Sequence, residues 1–127
     1  MIVLDASVVV EVLLNKRFAQ SLHEVRHQEW IVPHLLDIEV VSALRNLTAG
    51  KRLDAHRSAE LLSDLDALSA TRCPHTALLP RIWELRHNFT PYDAAYIALA
   101  EAMNATLYTT DQKMTKGHRA RVALVAP

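Results

Sequence analysis

Thr90-Pro91-Tyr92-Asp93-Ala94-Ala95-Tyr96-Ile97-Ala98-Leu99-Ala100 is the stretch that decides the fold of this chain. Thr90 suits a helix N-cap, Pro91 suits the first helical position, and Asp93 follows three residues after the cap. From there to Met103 only Glu101 interrupts an apolar run. A helix that is apolar all round is a buried helix. The stretch therefore predicts a core helix with a carboxylate in its first turn, and with Tyr96, Ile97 and Ala100 as the neighbours of Asp93 at helical spacing. Taken alone, Asp93 also reads as one half of a capping box with Thr90, an acid at the positive end of a helix.

The flanking sequence gives that helix a sheet to lie on. Ala105 to Thr109 is a β-rich run ending at Asp111, followed by a short helix and a final strand over Val122 to Val125. Met1 to Leu4 is a short apolar run ending at Asp5, with a helix predicted at once over Ala6 to Leu14. A second helix is predicted from Arg17 to Gln28, and Trp30 to Val32 is an apolar piece closed by Pro33. Leu35 to Ala49 is an amphipathic helix with Leu36, Val40, Ala43, Leu44 and Leu47 as its stripe and Gly50 as its stop. Further helices are predicted over Ala55 to Leu68 and His75 to Arg86, the latter with Pro80 as an irregularity, and a strand near Thr71 to Cys73. Strands alternating with helices predict one α/β domain over residues 1–127, a three-layer sandwich with a mostly parallel sheet between helices.

Composition narrows the chemistry. The 127 residues include 14 acidic and 14 basic side chains, so no global charge draws the chain to nucleic acid or membrane. The only two glycines, Gly50 and Gly117, exclude a P-loop, a dinucleotide fingerprint and a nucleophile elbow. Cys73 is the single cysteine, so neither an intrachain disulfide nor a cysteine-based zinc cluster can form. No uncharged run approaches the roughly 20 residues of a membrane helix, and no basic leader precedes an apolar run. A soluble, cytoplasmic protein is expected.

Four acids stand out against this background. Asp5 and Asp111 fall just past the ends of apolar strands, where an open parallel sheet binds its ligands. Glu39 lies on the flank of its helix's apolar stripe, and Asp93 opens the core helix. Acids beside apolar segments are costly unless paired. Two carboxylates about 4 Å apart repel by roughly 4 kcal/mol at an effective dielectric near 20. Four together need proton sharing or a hard divalent cation, Mg²⁺ or Mn²⁺, with oxygen ligands and retained waters. Such a site suits phosphoryl chemistry.

Met1-Ile2-Val3-Leu4-Asp5-Ala6-Ser7, Ile38-Glu39-Val40-Val41-Ser42-Ala43-Leu44-Arg45, Tyr92 to Ala100 and Thr109-Thr110-Asp111 together resemble, in order, the motifs of PIN-domain ribonucleases of the VapC toxin type. The resemblance implies an Mg²⁺-dependent endoribonuclease. Asp5 and Asp93 would be the main metal ligands, and Glu39 and Asp111 would complete the pocket directly or through waters. Ser7 and Thr110 would be auxiliary groups steadying waters or a phosphate oxygen. It further implies an RNA substrate, a cognate antitoxin that covers the acidic pocket, and a homodimer. A PIN nuclease outside a toxin pair, acting on other RNA or on DNA, fits the same motifs.

Other signals compete. His23-Glu24-Val25-Arg26-His27 spells the H-E-x-x-H zinc motif, but on the predicted helix both histidines point away from the inward Phe18, Leu22 and Val25, and no third ligand follows. A dehalogenase-like phosphatase needs a second Asp where Ser7 stands. A non-catalytic module using the acids to hold a structural cation would tolerate loss of an acid, and all four are present. Lys113, Lys116, His118, Arg119 and Arg121 could meet RNA phosphates near the site or form a solvated face. Tyr92 and Tyr96 could stack on bases, Tyr96 being the better core residue.

Overall fold

The computed structural model describes residues 1–127. Five strands form one parallel sheet: β1 (Ile2–Leu4), β2 (Trp30–Pro33), β3 (Thr71–Cys73), β4 (Thr106–Thr109) and β5 (Val122–Leu124), in the order β3-β2-β1-β4-β5. The chain winds outward from β1 to β3, then crosses back to lay β4 on the other side of β1. That reversal places a switch point between β1 and β4, and their carboxyl ends open a crevice there. The helices are α1 (Ala6–Leu14), α2 (Lys16–Ser21), α3 (Leu35–Ala49), α4 (Ala55–Asp66), α5 (Leu79–Glu84) and α6 (Pro91–Met103). Right-handed crossovers put α1 to α4 on one face and α5 and α6 on the other, giving the expected three-layer arrangement.

The opening stretch forms the core helix. Ala94 through Ala100 are all buried, and α6 lies across β1, β2 and β4. Burying side chains the size of Ile97 and Leu99 contributes about 1.5–3 kcal/mol each. The Thr90 hydroxyl accepts the Asp93 N–H at 3.2 Å, and Asn104 closes the helix in the left-handed conformation. Because α6 precedes the parallel strand β4, its N-terminus lies at the carboxyl ends of the strands. Thirteen residues carry it about 20 Å to the opposite end.

Arginines tie the layers. Arg72 on β3 grips the Asp37 carboxylate through two nitrogens, at 3.0 and 3.3 Å, and donates to the carbonyls of Leu65, Leu68 and Ala70, so it fixes the end of α4. Arg81 on α5 makes a two-nitrogen contact with Glu101 of α6.

Three predicted elements differ. The second helix stops at Ser21 instead of Gln28, and residues 22–27 form successive turns. Tight i→i+3 bonds such as His23 N–H to the Gln20 carbonyl replace the helical ladder, and the Trp30 indole takes the Val25 carbonyl. The segment predicted as one helix over His75 to Arg86 is a 3₁₀ turn (Thr76–Leu78) followed by α5, because Pro80 is tolerated only in a first turn. The short element after Asp111 is also a 3₁₀ turn, Gln112–Thr115.

Candidate active site

The crevice at the switch point collects the acids from four separate elements. Asp5 follows β1 and caps α1. Its Oδ1 accepts the Val8 N–H at 3.1 Å and the Ser7 hydroxyl at 2.6 Å, and its Oδ2 accepts the Thr109 hydroxyl. β1 and β4 are in register at Leu4 and Tyr108, so Asp5 stands beside Thr109. Asp111 follows β4, where its N–H donates to the Thr109 hydroxyl at 3.0 Å and its carboxylate accepts the Lys113 N–H at 2.9 Å. Glu39 approaches from α3, with the Tyr96 hydroxyl of α6 donating to its Oε1 at 2.6 Å. Asp93 approaches from the first turn of α6. The Thr90 hydroxyl that caps its N–H also acts on its carboxylate, in the direction that favours the charged form.

The four acids act on one another. Burial raises the Asp5 carboxyl above its ordinary value; bonds from Ser7, Thr109 and Val8 oppose the rise and the charge of Asp111 adds to it. Burial also raises Asp93, reinforced by the charges of Asp111 and Asp5 and opposed by Lys113. Glu39 is raised by burial, against the Tyr96 hydrogen bond, with the charges of Asp93 and Asp5 adding to the shift. The Tyr96 phenol, buried and bonded to Glu39, is held far above its usual range and stays neutral. Three groups pushed toward their neutral forms in one crevice mark a site short of positive charge.

The auxiliary residues divide. Ser7 bonds Asp5 and accepts the Thr110 N–H at 3.2 Å. Thr110 contributes that backbone donor, while the hydroxyl that reaches Asp5 belongs to Thr109. Thr109 was missing from the sequence reading, although strand alternation with the buried Leu107 turns it inward. The basic segment divides too. Lys113 lies by Asp93, but the Arg119 N–H donates to Glu101 and Arg121 binds the carbonyl and side chain of Asn104. Both arginines therefore sit at the far end of α6. His23, Glu24 and His27 are exposed in turns, so the two imidazoles do not share a helical face, and no third ligand completes a zinc set there. No helix is long and apolar enough to cross a membrane.

A small parallel α/β domain with an acidic crevice at its switch point is the class that fold and site define. A profile of the PIN domain matches residues 2–118. The VapC ribonuclease Mb0985 of Mycobacterium bovis is 43% identical over 115 residues, covering 91% of this chain and 89% of that protein. Among solved structures, VapBC2 from Rickettsia felis bound to a promoter DNA fragment superposes with a TM-score of 0.74 at 17% identity, covering 98% of both chains. Mycobacterium tuberculosis VapC20, a sarcin-ricin-loop-cleaving toxin, superposes with a TM-score of 0.68 at 17% identity, covering 91% of this chain and 93% of that one. The chain belongs to the PIN-domain family and, within it, to the VapC ribonucleases.

Proposed function

We propose that this protein is a divalent-metal-dependent endoribonuclease and the toxin of a toxin–antitoxin pair, with Asp5, Glu39, Asp93 and Asp111 as its site. The observation that carries the reading is the crevice itself. Four carboxylates from four elements meet at the switch point, three of them raised, with Lys113 as the one cation acting on Asp93. The oxygen donors suit Mg²⁺ or Mn²⁺. No three acids are set closely enough to enclose an ion directly, which fits an ion held by one or two carboxylates and otherwise by its own waters.

When bound, the ion supplies electrostatic stabilisation of the phosphate and activation of water. The chain's residues do the rest. Asp5 and Asp93 would hold the cation, Asp5 kept in one orientation by Ser7, Thr109 and the Val8 N–H. Asp111 would complete the acidic pocket. Glu39 has one oxygen fixed by Tyr96 and the other without a hydrogen-bond partner; that free oxygen accepts a proton from the attacking water.

The partner reading is supported by the structural likeness to VapBC2, which was solved bound to promoter DNA. It is supported also by an exposed apolar strip on α3 and α4, comprising Ile38, Val41 and Leu62, that leads away from the acids. An antitoxin segment lying on that strip would bring a basic side chain into the crevice. Exposed Leu79 and Trp83 on α5 suit a homodimer contact, and an RNA substrate would be met in the cytoplasm.

The test is cleavage of a mixed cellular RNA pool by purified, antitoxin-free protein in Mg²⁺ and in EDTA, beside Asp93→Asn. Discrete Mg²⁺-dependent cuts absent from the folded mutant are expected. Cutting that persists in EDTA and in the mutant would refute the four-acid site.

A further inference from the structure

Two tyrosines flank Asp93 in sequence, and the structure gives them opposite fates. Tyr96 is buried with its hydroxyl committed to Glu39, so it has no face to offer a ligand. Tyr92, the second residue of α6, is 61% exposed. Across from it, Ile38 of α3 is 72% exposed, one residue before Glu39. Tyr92, Ile38, Ser42 and Glu39 line one open depression of about 330 Å³. This depression shares Glu39 with the acidic crevice and lies beside Asp93, so whatever fills it is adjacent to a phosphate held at the acids.

We propose that Tyr92, with Ile38 and Ser42, forms a nucleobase subsite that seats one base of single-stranded RNA next to the cleaved phosphodiester; the proposal rests on the nuclease reading above. The chemistry of the lining matches a base. An aromatic ring and an aliphatic side chain offer apolar surface for its faces. The Ser42 hydroxyl, which can both donate and accept, meets its polar edge. Stacking on an aromatic side chain contributes about 1–3 kcal/mol per base and tolerates any base, because each has a π-face. The crevice is acidic and repels the phosphate backbone in the absence of a cation, so affinity for RNA must come partly from such uncharged contacts. The arginines that might otherwise hold the backbone lie at the far end of α6. The Ser42 hydroxyl, with its reversible donor role, makes the subsite a positional anchor with a modest base preference.

The experiment measures binding of fluorescent single-stranded RNA oligonucleotides by anisotropy in Ca²⁺, whose larger and more flexible coordination shell allows metal-assisted binding without the octahedral geometry of Mg²⁺. An abasic site is walked through the oligonucleotide, and cleavage of the same RNAs is followed in Mg²⁺. For the wild type, one position flanking the cut should weaken binding about 5- to 150-fold when abasic, the range equivalent to stacking of one base. Tyr92→Ala should lose the same factor on intact RNA and become indifferent to the abasic site. Tyr92→Phe and Tyr92→Trp should restore both. Tyr92→Ala that stays as sensitive as the wild type, or loses affinity evenly at all positions, overturns the subsite. So does a Tyr92→Ala protein that binds RNA normally and loses only antitoxin affinity. Tyr92-dependent binding without Mg²⁺-dependent cleavage would uphold the subsite and refute the nuclease reading; normal cleavage and binding in Tyr92→Ala would do the reverse.

Discussion

Replacing Thr109 with Val tests how the crevice holds its charge. Thr109 is wholly buried, and its hydroxyl serves two neighbours: it donates to Asp5 Oδ2 and accepts the Asp111 N–H at 3.0 Å. Valine fills nearly the same space, so the change removes polar contacts with little cavity. A hydrogen bond to a charged group is worth about 1.5–3 kcal/mol, and a neutral amide bond about 0.5–1.5 kcal/mol. Thr109→Val should therefore destabilise the metal-free protein by about 2–4 kcal/mol at neutral pH, a large part of the 5–15 kcal/mol typical of a domain. Urea unfolding measures it. Thr109→Ser keeps the hydroxyl and should lose only about 1 kcal/mol for the buried methyl. In an Asp5→Asn background, where the acceptor is uncharged, the cost of Thr109→Val should shrink by at least about 1 kcal/mol, the coupling expected of residues in direct contact. Cleavage by Thr109→Val should fall about 10- to 100-fold as Asp5 loses its fixed orientation. A loss below about 0.5 kcal/mol at neutral pH, or the same loss with and without Asp5, would refute the claim that Thr109 holds Asp5.

The remaining predictions concern charge, a discarded motif and one glycine. Asp5, Asp93 and Glu39 have folded-state values raised above the ordinary 3.8 and 4.5, so between each ordinary value and its raised one the folded chain binds more protons than the unfolded one. Their contribution to stability in EDTA therefore declines as pH rises from about 4 through the raised values, then levels off; Asp93→Asn should flatten this decline in unfolding curves taken against pH. The charged Asp93 is disfavoured first by burial and then by the charges of Asp111 and Asp5, and its partial exposure limits the relief on neutralising it to about 1 kcal/mol. Metal-free Asp93→Asn should accordingly melt a few degrees higher than the wild type, while Mg²⁺ should raise the Tm of the wild type more than that of the mutant. Glu101 titrates the other way: burial works against its charge, but the Arg81 guanidinium and the Arg119 N–H outweigh it and hold the carboxyl low, so its contribution fades only as the pH falls below the ordinary glutamate range. His23→Ala with His27→Ala should leave cleavage unchanged and stability within about 0.5 kcal/mol, since both side chains are exposed in turns; loss of activity would revive the zinc site. Gly117 has φ +91°, and a Cβ there would meet the Phe89 ring at 3.4 Å, so Gly117→Ala should cost about 1–3 kcal/mol in denaturant unfolding.

Legibility in the sequence followed the strength of the local signal. The buried helix at Pro91 was readable because its cap, its proline and its apolar run agree, and the structure gives it the bounds Pro91–Met103. The positions of Asp5 and Asp111 were readable because each ends an apolar run. What joins them was not readable: the adjacency of β1 and β4 is a long-range pairing, and only that pairing sets Thr109 against Asp5. Tyr96 was correctly expected in the core, but its bond to Glu39 links residues 57 apart in sequence and leaves no local pattern. The overextended second helix shows the opposite limit. Phe18, Leu22 and Val25 keep helical spacing through residues 22–27, yet the indole of Trp30 takes the Val25 carbonyl and tight turns replace the helix.

The geometry of the switch point also explains how so acidic a crevice persists in a chain of zero net charge. Three helices, α1, α3 and α6, begin at the carboxyl ends of the strands, and each N-terminus is equivalent to about half a positive charge. Together with Lys113 they offset somewhat more than half of the four negative charges. The balance left over is close to what one divalent cation supplies. The same deficit is open to a basic side chain from a bound protein. Under the proposed function, that one deficit would serve both catalysis and inhibition: a basic side chain from a bound protein would take the place of the cation, without altering the fold that Asp5, Thr109 and Tyr96 hold together.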